Sequence, residues 1–248
     1  MENGIFVRCL WGRSDYVVRE GIMKELDEAT GCKFKIPTQW YCYGEENLVE
    51  LQKRGIDDAI LLDKEPICRF GATGERNPDK AGITNWGRSM WTHKYPPMAH
   101  ALAFHHDAIW VDLDTNPTCV LPDDLWDRMR QGQPFQCSLR QGSRPRAVWR
   151  GLEDTRKTPC GSLMYFRGQE WIKRCLEIYD MYPTEWDLII LSRLVDDMWG
   201  GWKGIQAYKD AGFEPYCHAH TANQIFAPEQ AIFRSHKKKG LRALGLNK

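Results

Sequence analysis

Several protein classes are excluded by what this sequence does not contain. No apolar run comes near the twenty or so residues that cross a bilayer as a helix, so no transmembrane segment is expected. No sign of charge prevails. The 34 Lys and Arg stand against 33 Asp and Glu, and a formal net charge of +1 gives no global field to draw the chain to nucleic acid or an anionic membrane. The nine cysteines are odd in number and form no Cys-x-x-Cys pair, and no secretory apolar stretch follows the opening MENGIFVRCLWGRSDY. The expectation is a cytoplasmic chain with reduced thiols, many of them buried as small hydrophobes. Cys217, His218 and His220 in CHAH suit zinc by type, but no second half-site with ligand spacing accompanies them, which favours a structural or surface role. No internal repeat, low-complexity block or Gly/Ser linker divides the 248 residues, and a single domain is expected.

What is present is an alternating pattern. The apolar stretch IFVRCL (Ile5 to Leu10) reads as a strand, and YVVREGIMKELDEATG has helical spacing that stops at Gly31. QWYCYG (Gln39 to Gly44), ENLVELQKRG (closed by Gly55) and DAILLD (Asp58 to Asp63) continue as strand, helix and strand. This β-α-β-α-β order predicts an α/β fold with a Rossmann-like, mostly parallel sheet flanked by helices, and ligands at the carboxyl ends of its strands. The Gly-rich passage from Arg69 to Arg88 reads as a long surface loop. A helix with Pro96 and Pro97 at its start then leads to the strand AIWVD. Helix PDDLWDRM, strand PFQCSL, a basic loop from Arg140 to Pro159, strand GSLMYF and two further helices complete the pattern. The eleven tryptophans are an excess that suggests some of them line a cleft or interface.

The chemistry-bearing stretch is HHDAIWVDLDTNPTCVLPDDLW, where an apolar strand ends in Asp112 and Asp114. Carboxylates at i and i+2 beyond a strand end converge where the pleat is lost, and like charges held close need a cation if both are to stay ionised. A divalent metal meets that need and leaves room for phosphate oxygens. The plain alternative is a pair of solvated turn acids, with Asp114 and Asn116 making Asx-turn bonds.

With these residues in view, KYPPMAHALAFHHDAIWVDLDTNPTCVLPDDLW resembles the DxD region of GT-A-fold glycosyltransferases. CGSLMYFRGQEWIKRCLEIYD is similar to that family's Gly-opened strand and following helix. TEWDLIILSRL stands in the place of its acidic motif, and SHKKKG in that of its late histidine followed by a glycine. The resemblance implies a nucleoside-diphosphate sugar as donor, a hydroxyl acceptor and a divalent metal, Mn2+ or Mg2+. It also divides the single domain 1–248 into a nucleotide-sugar half, 1–115, and an acceptor-side half, 116–248.

Carried over by residue, it makes Asp112, Asp114 and His236 the metal set, with Asp112 also near the donor ribose. Gly12, Arg13, Tyr16, Arg88 and Lys94 fall on the donor side, with Lys94 at the diphosphate. Asp187, or Glu185 if the alignment slips, serves the transferred sugar or the acceptor hydroxyl. Trp149, Arg150 and Gly161 fall on the acceptor side. Each has a plain alternative: Lys94 a solvated residue before a helix, His236 one charge of a basic tail, Asp187 a helix-terminal acid complementing the dipole, and Tyr16 a packing residue.

Two readings compete. A haloacid-dehalogenase-like phosphotransferase also ends an apolar strand in D-x-D. Here, however, Asn116 stands where that family has Thr or Val, Val195 to Asp197 lie in a helix-like pattern, and the strand comes late in the chain. A nonenzymatic nucleic-acid-binding module would use the basic residues from Arg140 to Lys157 around Trp149 for phosphate contact and base stacking. The same cluster would suit an enzyme whose acceptor is a hydroxymethylated base in DNA.

Overall fold

The computed structural model describes residues 4–12, 19–63, 91–132, 134–141, 157–181, 194, 218–220 and 232–235. Strands β1 (Gly4–Leu10), β2 (Thr38–Tyr43) and β3 (Ile60–Leu62) alternate with helices α1 (Arg19–Thr30) and α2 (Glu45–Gln52). A 3-10 turn, Trp91–Lys94, leads into α3 (Tyr95–Phe104), whose early prolines cost nothing because first-turn amides have no partner in the helix. After α3 come β4 (Asp107–Val111), β5 (Thr115–Pro117), α4 (Leu125–Gln131), β6 (Phe135–Gln141), β7 (Lys157–Arg167) and α5 (Glu170–Met181). Two short strands close the series, β8 (His218–His220) and β9 (Phe233–Ser235).

The main sheet has six strands in the order β3-β2-β1-β4-β7-β6. Pairings among β3, β2, β1 and β4 are parallel, and those of β4 with β7 and β7 with β6 are antiparallel. The fold is therefore the mixed, mostly parallel α/β sheet that the alternation predicts. Its central strands are buried on both faces: every residue of β4 is buried, as are the last five of β1. Alternate residues of β2 serve two cores. Tyr41 and Tyr43 pack with Met98 and Leu102 of α3 and Ile172 and Cys175 of α5. Trp40 and Cys42 pack with Ile22 and Leu26 of α1 and Leu51 of α2. Leu26 alone, fully buried at 22-26-29 helical spacing, contributes about 2 kcal/mol.

At the amino end of β4 sits a buried acid of structural character. Asp107 accepts from Tyr165 Oη at 2.6 Å and from Arg130 Nε at 2.8 Å, so its charge is paired where it is dry. Asp112 and Asp114 follow the other end of the same strand.

Two expectations change, and the structural or surface role expected for CHAH stands. Thr115–Pro117, which the Asx-turn alternative puts in a turn through Asn116, is strand β5 of a second sheet, ordered β5-β9-β8. Its partner Phe233–Ser235 is more than a hundred residues away, and three-residue strands carry no readable period. Arg140 and Lys157–Pro159, read as parts of a basic loop, belong to β6 and β7. Pro159 is tolerated because β4 pairs β7 only from Leu163 onward, which leaves β6 as the described neighbour at that point. His218–His220 forms β8, parallel to β9, so that part of CHAH is a sheet edge. Among the described residues no helix is long and apolar enough to cross a membrane.

Candidate active site

Parallel pairing of β1 and β4 brings both carboxyl ends to one side of the sheet. There β4 stops at Val111 and the chain turns tightly: Asp112 N–H donates to Ser162 O at 2.9 Å, and Thr115 N–H donates back to Asp112 O at 3.0 Å. That turn delivers Asp112 and Asp114 to one small cavity of about 50 Å3, enough for a cation or a few waters. Cys9, Trp11, Glu25, His93 and Lys94 share its wall.

Lys94 is buried at the end of the 3-10 turn. Its ammonium donates to Gly161 O at 3.0 Å and to Asp112 Oδ1 at 3.3 Å, and lies 5.7 Å from the centre of the Trp110 ring. Asp112 Oδ1 also accepts from Trp110 Nε1 at 2.6 Å, so the carboxylate is fixed by two donors from different elements. Asp114 is almost fully buried, and its Oδ1 accepts from Thr115 Oγ1 at 3.2 Å. Lys94, Asp112 and the Gly161 carbonyl, distant in sequence, thus meet in one cluster beside Asp114.

A second cation stands behind the turn. Arg8, mid-strand in β1 and 2% exposed, donates from Nη2 to Thr115 O at 2.7 Å and to Asn116 Oδ1 at 3.1 Å. Burial pulls its guanidinium down to about 10, with Cys32, Asp114 and Asp112 pulling the other way, so it stays charged at neutral pH. Lys94 and Arg8 between them offset the repulsion of the two aspartates. Repulsion alone therefore does not demand a metal.

Gly12 lies just past β1 with φ 87°, a left-handed conformation that favours glycine. Its carbonyl accepts from Arg19 Nη1 and Asn47 Nδ2, each at 2.9 Å, which ties the exit of β1 to α1 and α2 beside Trp11. Of the residues singled out in the sequence, Gly12, Lys94, Asp112, Asp114 and Gly161 are described. Arg13, Tyr16, Arg88, Trp149, Arg150, Glu185, Asp187 and His236 lie outside the described residues.

Sequence reasoning missed Arg8, Glu25 and His93. Arg8 had a signal, a charge in the middle of the apolar run IFVRCL. Glu25 borders the buried 22-26-29 face of α1, a position that spacing marks only weakly. The buried His93 ring sits between Trp11 at 4.8 Å and Trp110 at 5.7 Å, while its carbonyl accepts from Tyr43 Oη.

Among the described residues no group of three or more His, Cys, Asp or Glu could hold a metal ion. Asp112, Asp114 and Glu25 line one small cavity without forming such a group. Two carboxylates of this kind could contribute oxygen ligands to a hard cation only together with donors from elsewhere.

No protein-family model matches the chain, and no curated protein matches it. Among solved structures it is similar to the galactosyltransferase LgtC in complex with donor and acceptor sugar analogues. Identity there is 14% over 75% of this chain and 69% of that one, with a TM-score of 0.43. It is also similar to the glycosyltransferase GlyE of Streptococcus pneumoniae TIGR4, at 11% identity and a TM-score of 0.39. That match covers 94% of this chain and 54% of the other, so the chain spans about half the length of GlyE. Likeness at this level says nothing of donor, acceptor or reaction.

Proposed function

We propose that this chain is a GT-A-like glycosyltransferase that moves a sugar from a nucleoside-diphosphate donor to a hydroxyl acceptor, with Mn2+ or Mg2+ bound at Asp112 and Asp114. The observation that carries the reading is the convergence of Asp112, Asp114 and the buried Lys94 on one cavity at the carboxyl ends of parallel β1 and β4. Strand ends of this kind are where α/β sheets bind ligands. His236 is the proposed third ligand. Ser235, its neighbour in the chain, pairs with Thr115, the residue after Asp114, and that register supports the assignment.

A bound divalent cation would supply positive charge to the departing diphosphate. Lys94 holds Asp112 in place through its bond to Oδ1 and adds a fixed charge beside the phosphates. Charge fixed in advance at the point where negative charge grows is the most effective form of electrostatic catalysis. Trp110 Nε1 fixes the same carboxylate from the strand, and Arg8 secures the back of the turn. Gly12, Arg13, Tyr16 and Arg88 are assigned to the nucleotide and Asp187, or Glu185, to the acceptor hydroxyl proton. Trp149, Arg150 and Gly161 are assigned to the acceptor side.

A hydroxymethylated base in DNA is the candidate acceptor with support in the sequence, through the basic residues between Arg140 and Lys157. DNA binding that weakens steeply with salt would bear on it directly. The transfer reading itself is tested by donor turnover. Wild type should release nucleoside diphosphate from one nucleotide sugar in the presence of Mn2+, stop on chelation, and lose the activity in Asp114→Ala. Turnover that survives chelation or the substitution refutes the assignment.

A further inference from the structure

A second cavity lies on the α1 side of the sheet, about 190 Å3 in volume and separate in its lining from the one that holds Asp112 and Asp114. Arg8 and Trp40, paired across β1 and β2, form one wall, and Thr30 at the end of α1 with Cys32 and Lys35 after it form another. Arg8 is 2% exposed, and its guanidinium is only half used. Nη2 bonds Thr115 O and Asn116 Oδ1, while Nη1 has no hydrogen-bond partner among the described residues. A buried cationic N–H group without an acceptor is costly and calls for an explanation. None of the residues lining this cavity is acidic. Arg54, also on the wall, is already neutralised by Asp27 and Glu50, so the remaining cations of this wall are Arg8, which also faces Asp114 and Asp112 behind it, and the exposed Lys35, whose ammonium donates to Thr30 O. Trp40 gives the same space an apolar side.

We propose that this cavity binds a small organic anion, with a carboxylate or phosphate oxygen on the Arg8 guanidinium, Lys35 at the mouth and the body of the ligand against Trp40. Arg–oxyanion bonds of this kind are charge-assisted and directional. The other end of the same guanidinium holds Thr115, next to Asp114, so the anion sits directly behind the Asp112–Asp114 turn. By linkage, any effect it has on cation affinity at that turn is matched by an equal effect of the cation on its own affinity. The site does not depend on the glycosyl-transfer reading.

The test is calorimetric titration of the full chain with inorganic phosphate and with malonate at low ionic strength, paired with the iodoacetamide alkylation rate of Cys32 mapped by peptide mass spectrometry. Cys119, also half-buried and absent from this wall, is the internal control. Saturable binding of one equivalent is expected, and the tighter of the two probes identifies the head group as phosphate or carboxylate. At about ten times Kd, Cys32 alkylation should slow about tenfold while Cys119 is unchanged. Lys35→Met, on the surface, should weaken binding about threefold, and Arg8→Met should abolish it. If Arg8→Met does not fold, Lys35→Met and the Cys32 rate decide. No binding of either probe, no protection of Cys32, or affinity unchanged in Lys35→Met would overturn the proposal.

Discussion

Replacing Lys94 by methionine keeps the aliphatic stem and removes the ammonium, which makes it a clean probe of the cluster at the end of β4. Two groups lose a donor at once. The Gly161 carbonyl, bonded at 3.0 Å, is buried, and an unsatisfied group of that kind costs about 1–3 kcal/mol. Asp112 loses its counter-charge, and breaking a buried pair costs about 3–5 kcal/mol. The Asp112 side chain is 17% exposed and the contact is 3.3 Å, so water recovers much of that second loss. The two losses also share one donor and do not add.

A net destabilisation of about 3 kcal/mol follows, or about 6–12 °C in Tm for a chain of this size. Urea unfolding of wild type, Lys94→Met, Asp112→Asn and the double variant measures it, with a coupling of about 1–3 kcal/mol expected between the two sites. A Lys94→Met loss below about 0.5 kcal/mol, the range of ordinary surface changes, would refute the buried-cluster reasoning and return Lys94 to the role of a solvated residue before a helix.

Other outcomes follow from the same geometry. Tyr165→Phe removes a donor from the buried Asp107 carboxylate and should cost about 2 kcal/mol in urea unfolding. Because Asp107 lies at the far end of β4, the nucleotide and cation response should be unchanged. Gly12→Ala places a Cβ at φ 87° and should cost about 1–2 kcal/mol; a neutral result would mean that this backbone relaxes freely.

Stability should also fall at alkaline pH. Burial raises the Cys42 thiol to about 11 and the Cys175 thiol in the same direction, and it raises Tyr41 and Tyr165 beyond the usual tyrosine range. The folded chain keeps these protons after the unfolded chain has lost them, so their stabilisation is complete below about pH 8.5 and declines above it. Arg8, lowered by burial, works in the opposite sense above about pH 10, one group against four. A denaturation free energy that is flat from pH 8 to 11 would contradict this balance.

The parallel half of the sheet was legible because its signals are local. IFVRCL, QWYCYG and DAILLD are apolar runs cut by Gly-terminated amphipathic helices, and β1, β2 and β3 lie within two residues of those readings. The acids at the end of AIWVD were legible for the same reason: a charge that terminates a buried strand stands out from it. What the sequence hid depends on distant pairing. β5 exists because Phe233–Ser235 comes back to meet it, and the first residues of β7 are strand because β6 is beside them. The compensation of Asp112 by Lys94 was hidden as well. Eighteen residues separate them, and only the packing of the 3-10 turn against β4 and Gly161 closes that distance. Lys94 and Arg8 thus supply in part the charge balance that the bare D-x-D pattern leaves to a metal. The case for the metal now rests on the shared cavity and on the register of Ser235.

Proposed as a glycosyltransferase, the chain holds a divalent cation at Asp114 against a nucleoside diphosphate. The most direct test of that binding is a thermal-shift screen of nucleoside diphosphates and nucleotide sugars, with and without Mn2+, on wild type and Asp114→Ala. A ligand that binds the folded state must raise its apparent stability. A Tm increase with one nucleotide is expected that requires Mn2+ and is absent from a folded Asp114→Ala protein. No response to any nucleotide, together with a response to phosphate analogues and Mg2+, would contradict it and favour a phosphotransferase.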